Sequence, residues 1–182
     1  MKLINHVNLI ENKKAVLWLN IASIPVMGLF FGMFLLLARM KPTPSIDTSV
    51  IDLIIQVLCL VIVIVIHELI HGLFFKLFHP AGKVKFGFKN GMAYATSPDS
   101  FYSKGQFSVI ALAPFVLLTG TLLGLYFAGS LSAPAFIFIS TLHAAGCVGD
   151  FYLIYLILKA PKNALVQDTE VGIDFYLKET TD

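Results

Sequence analysis

The chain has 182 residues, 57% of them apolar and only 13% charged, with a mean hydropathy of +0.83 and a net charge of +2. A soluble domain averages about 45–50% apolar and about 25% charged residues, so a water-soluble globule is excluded. The small net charge, with no basic stripe, carries no signature of a nucleic-acid partner.

The apolar residues gather in uncharged runs, and about 20 of them in succession suffice to cross a bilayer. Residues 1–14 read as a short polar lead. Ala15 to Ala38 is a run of 24 residues without a charge, bounded by Lys13, Lys14 and Arg39. It is too long for a signal-peptide core and lacks a small-x-small cleavage site, so a retained span over 15–39 is expected. Trp18 falls where an aromatic-belt residue belongs. The loop from Met40 to Ser49 carries Pro42 and Pro44, with Asp47 or Ser49 as the N-cap of a second span over 50–79.

Between about 80 and 106 the pattern changes. Lys83-Val84-Lys85-Phe86-Gly87-Phe88-Lys89 alternates, Asn90-Gly91 suits a tight hairpin turn, and Met92 to Thr96 can return as the partner strand. Such a ribbon is marginal alone and should rest on the helices or the membrane surface. A plain basic loop is the alternative. From Gln106 to Gly149 no acidic or basic residue other than His143 occurs, and the run is too long for one helix. The turn residues Gly129 to Pro134 divide it, giving spans over 107–128 and 134–158. Val171 to Leu177 reads as a further short strand. Cys59 and Cys147 fall inside spans and read as buried small hydrophobes, not a disulfide.

The fold expected is thus an all-α membrane protein, one domain over 1–182, with about four transmembrane helices and a small β-hairpin in the central loop. Eleven of the thirteen basic residues flank the odd-side segments of this arrangement, and only Arg39 and Lys41 flank the other. The positive-inside rule then places a multi-pass protein in the cell membrane with both termini cytoplasmic.

The second span carries His67-Glu68-Leu69-Ile70-His71. On a helix the two imidazoles stand one turn apart on one face and can grip a single zinc ion. Glu68 is then placed to take a proton from the attacking water. Three ionisable groups inside a span are costly unless they meet partners, and a metal is the most economical partner; an inter-helix polar cluster is the rival. A catalytic zinc takes a third protein ligand. His143, Cys147 and Asp150 lie at i, i+4 and i+7 on the last span, among Ala144, Ala145, Gly146 and Gly149, which permit close helix approach. His71 and Asp150 each stand eight residues from the cytoplasmic end of their span, hence about 12 Å below one surface. Asp150 is the expected ligand, with Cys147 and His143 as alternatives. His6 and His79 read as solvated; Asp168, Glu170 and Asp174 in the tail could touch the site, with a solvated face the expectation.

The motif, the later Gly149-Asp150 and the hairpin between them resemble the site-2 protease class of intramembrane zinc metalloproteases. More closely, residues 50–180 resemble a family of small four-span zincin peptidases. Site-2 proteases carry Asp-Gly where this chain has Gly149-Asp150, with the glycine before the acid. They also place an Asn about two turns earlier, near His143 here. The resemblance therefore implies Zn2+ held by His67, His71 and Asp150, with Glu68 catalytic as general base and acid. It also implies that His143 stabilises the transition state, although His143 reads equally well as a core histidine. A membrane protein or peptide substrate would follow. Two other readings use the same residues: a membrane metal-binding or transport protein, and a non-catalytic interaction subunit. The substrate and the oligomeric state are not legible.

Overall fold

The computed structural model describes residues 1–9, 11–41, 49–89, 92–169 and 172–177. The elements run β1 (Lys2–Asn8), α1 (Lys13–Ala38), α2 (Val50–Phe78), β2 (Lys85–Lys89), β3 (Met92–Thr96), β4 (Phe101–Ser103) and α3 (Lys104–Phe127). They continue as α4 (Ala133–Gly146), α5 (Val148–Lys159), β5 (Leu165–Thr169) and β6 (Gly172–Leu177). The long helices begin where side chains satisfy their free N–H groups. Asn12 caps α1 by accepting from the amides of Lys14 and Ala15. Ser49 with Asp52 and Ser103 with Gln106 form reciprocal capping boxes on α2 and α3. Of the two caps expected for α2, Ser49 serves; Asp47 lies outside the described residues, as do the Asn90-Gly91 turn and Glu170.

Helices α1, α2 and α3 are each long and apolar enough to cross a membrane, and α4 with α5, bent by 42°, gives a fourth where the pair is taken as one broken span. Their outward residues, such as Leu29, Leu36, Ile54, Ile62 and Leu73, are exposed apolar side chains, the state lipid requires. Between the helices an aromatic core forms, with Phe34 edge-on to Phe136 at 5.5 Å and Tyr126 stacked on Phe136 at 4.8 Å. Tyr126 also donates its hydroxyl to the Ala38 carbonyl at 2.6 Å. Lys41 donates to the carbonyls of Tyr126 and Phe127 at the C-terminal end of α3, where a cation satisfies orphan acceptors.

The opposite end carries the strands. β2 and β3 form the expected ribbon, Lys85 opposite Thr96 and Lys89 opposite Met92. A four-stranded antiparallel sheet in the order β1-β6-β5-β4 is an addition to the expected fold. The polar lead is largely strand β1, paired to β6 from Lys2↔Leu177 to Asn8↔Gly172. Gly172 is obligatory there, since a Cβ would stand 1.9 Å from the Val7 carbonyl oxygen. Tyr102, Val166, Ile173 and Phe175 beneath this sheet pack with Phe75, Phe107 and Ile157 of the helices, which ties sheet to bundle.

This sheet joins β1 before α1, β4 between α2 and α3, and β5 and β6 after α5. An even number of crossings must separate them, so α1 and α2 make one return and α3 with the bent α4–α5 pair the other. Cysteine labelling at Lys2, Lys89 and Ser132 in sealed vesicles should find Lys2 and Lys89 on one face and Ser132 on the other. Lys41 labelled from the same face as Lys89 would refute four spans.

Candidate metal centre and cleft

His67 and His71 stand one turn apart on α2 and bring their Nε2 atoms to 3.0 Å. Asp150, in the first turn of α5, meets both, with Oδ2 at 3.3 Å from His67 Nε2 and Oδ1 at 3.3 Å from His71 Nε2. Ligand atoms on a tetrahedral ion with bonds of about 2.0–2.1 Å stand about 3.3–3.4 Å apart. The two nitrogens and the carboxylate, which reaches them through different oxygens, meet the geometric condition for a metal group. Among the described residues Asp150 is paired with the two imidazoles and with no lysine or arginine.

The orientation of His71 has a cause on another helix. Its Nδ1 donates to the carbonyl of Ile110 at 2.9 Å, leaving the Nε2 lone pair for a metal. That carbonyl is available because Pro114 stands four residues later inside α3 and has no N–H to return to it. Proline in a spanning helix thus creates the acceptor that fixes a ligand.

Glu68 turns its carboxylate to the backbone N–H of Ala95 on β3. Both residues line a cavity of about 240 Å³ that also contains His67, His71, Asp150 and Asp168. β3 can lie this close because Gly72 has no side chain; a Cβ there would be 2.4 Å from the Phe86 ring of β2. Gly72 thus seats the ribbon.

His143 is buried on the far side of His67, its Nε2 at 3.2 Å from His67 Nδ1, and it is not among the residues lining the cavity. The structure thus brings it to His67 and not into the cleft beside Glu68. Cys147 joins it, with Sγ 3.9 Å from His67 Nδ1 and 3.8 Å from His143 Nε2. Both face the nitrogen of His67 that points away from His71 and Asp150.

Sequence reasoning weighed contact with the site but favoured a solvated face for Asp168. It is 9% exposed and accepts the Ser97 backbone N–H at 3.0 Å. Burial pushes its carboxyl up to about 7. The signal was present: along β5, Val166 and Asp168 alternate inward, and an acid on an apolar strand face points to a cleft. The other solvated assignments fare differently. Exposed His6 pairs with Asp174 across β1 and β6. At the rim, Lys89 at the end of β2 binds Glu11 at 2.7 Å, and this hydrogen bond holds the Glu11 carboxyl below its usual range.

Two predictions arise from this geometry. Pro114→Ala restores a helix N–H that competes for the Ile110 carbonyl, so zinc affinity should fall by about tenfold in a competitive chelator titration; unchanged affinity would separate Pro114 from the site. For Asp168 the folded protein holds its proton more tightly than the unfolded chain. Folding is therefore penalised as pH rises from about 4 through about 7. Metal-free Asp168→Asn should melt at the same temperature as the wild type near pH 4 and higher at pH 8. Equal melting at both would show that Asp168 is not buried.

A family model described as "Putative zincin peptidase" matches residues 60–165, more than half of the chain. The match spans the histidine pair, the ribbon and Asp150. No curated protein and no solved structure matches the chain. With the motif on one spanning helix, an acid from another closing its face and the family match across both, this multi-pass membrane protein belongs to that zincin peptidase family.

Proposed function

We propose that the protein is an intramembrane zinc metallopeptidase of the cell membrane, cutting a peptide bond in or near the bilayer, with both termini cytoplasmic. The observation that carries this reading is one cavity in which the His67, His71 and Asp150 ligand atoms converge beside the Glu68 carboxylate.

When bound, zinc supplies a Lewis acid for the scissile carbonyl and acidifies the attacking water. The rest falls to the chain. Asp150 and the two imidazoles supply the coordinating atoms, and the Ile110 carbonyl holds His71 in the tautomer that ligates. Glu68, fixed by the Ala95 N–H, takes a proton from the attacking water and returns it to the departing amine. A carbonyl within a spanning helix is already hydrogen-bonded, so the substrate must unwind before attack. Ala95 turns its N–H away from β2, and Ala93, two residues back, shares that orientation. The outer edge of β3 therefore offers backbone groups beside Glu68 to an extended segment, as in strand addition. Closed structural zinc sites take four protein ligands. Three ligands with a free carboxylate alongside suit hydrolysis better than transport or scaffolding.

The test is co-expression of the protein, or its Glu68→Gln form, with a panel of tagged single-span membrane proteins. Cleavage by the wild type should fall at least about a hundredfold in Glu68→Gln while zinc content is retained. Equal cleavage by both forms, or no cleavage by either with zinc bound, would contradict the proposal and favour metal handling.

A further inference from the structure

We propose that His67 is shared between two metal ions, and that its Nδ1, with His143 Nε2 and Cys147 Sγ, forms a second zinc site behind the first. The inference rests on the reading above, in which His67 Nε2 faces the ion held with His71 and Asp150.

The three atoms lie 3.2, 3.8 and 3.9 Å from one another. A tetrahedral zinc with bonds of about 2.0–2.1 Å to nitrogen and about 2.3 Å to sulfur sets edges of about 3.3 Å between nitrogens and about 3.6 Å from nitrogen to sulfur. The triad is within a few tenths of an ångström of those edges and meets the geometric condition for a metal group independently of the first. Two imidazoles with a thiolate select a thiophilic ion such as zinc over magnesium or calcium. Cys147 is fully buried, and His143 is 4% exposed. The thiol's other contact is to the His143 carbonyl at 3.2 Å.

Charge balance supports the arrangement. Binding releases two protons, one from Cys147 Sγ and one from His67 Nδ1, leaving a thiolate and a bridging imidazolate. The thiolate's charge, with the imidazolate's shared between the two ions, offsets most of the charge of the buried second ion. The 42° bend at Cys147 makes the sharing possible. The end of α4 carries His143 and Cys147 to one nitrogen of His67, while the start of α5 carries Asp150 to the other.

The experiment uses the full-length protein in detergent, stripped of metal and titrated with Co2+ in place of zinc. Wild type should bind two equivalents, with a thiolate-to-cobalt charge-transfer band in the near ultraviolet. Cys147→Ser and His143→Asn should each lose that band and one equivalent while keeping the other. Asp150→Asn should lose an equivalent and keep the band, and Cys59→Ser should keep both. One equivalent in the wild type without the band would overturn the second site and leave the first standing. No cobalt bound would overturn both. A band that survives Cys147→Ser, or is lost in Cys59→Ser, would also overturn it.

Discussion

Ionisable side chains inside a bilayer must find partners within the protein, because lipid offers none. Here that constraint acts on His67, His71, Asp150, His143 and Glu68, and the arrangement of helices can be read as its solution. Each imidazole nitrogen of α2 within this group has a destination: Ile110 and Asp150 for His71, Asp150 and His143 for His67. Glu68 finds a backbone N–H on β3. Remove any one destination and a buried polar group is left without a partner, which costs about 1–3 kcal/mol even when it is neutral.

Two breaks in regular helix structure make the solution possible. Pro114 opens a carbonyl in α3, and the bend at Cys147 lets one span reach both sides of a single histidine. In a soluble helix either break would be a weakness. In this bundle each supplies something a straight helix cannot: a free acceptor in the first case, and a change of facing within one turn in the second. The strands act at the other end. The four-stranded sheet holds the ends of the spans together, while the ribbon, seated on Gly72, covers the cleft and brings Ala95 to the Glu68 carboxylate.

The spanning helices were legible because hydropathy alone dictates them, and the histidine pair because a spacing of four residues fixes its geometry. Asp150 was within reach through equal depth, an argument that needs only helix rise. The central ribbon could be read from alternation. β1 could not: its first five residues, Lys2 to His6, are all exposed, so no buried face imposes a period of two. Its place comes from long-range pairing with β6, which local pattern does not encode. Asp168 was misread as solvated for a related reason, since the cleft that buries it is made by segments far apart in sequence. Cys147 read both as a small hydrophobe and as an alternative ligand beside His143, and only packing reveals that it meets the far nitrogen of His67.

The claim on which the account depends is that α2 and α5 jointly hold a metal ion within the bundle. The most direct measurement is zinc content of the purified full-length protein, wild type against His71→Ala and Asp150→Ala, which belong to that site alone. The account predicts that each variant carries one zinc fewer than the wild type while still extracting and eluting as a folded membrane protein. Wild-type zinc content retained in both variants, or no zinc in the wild type after growth in zinc-replete medium, would contradict it.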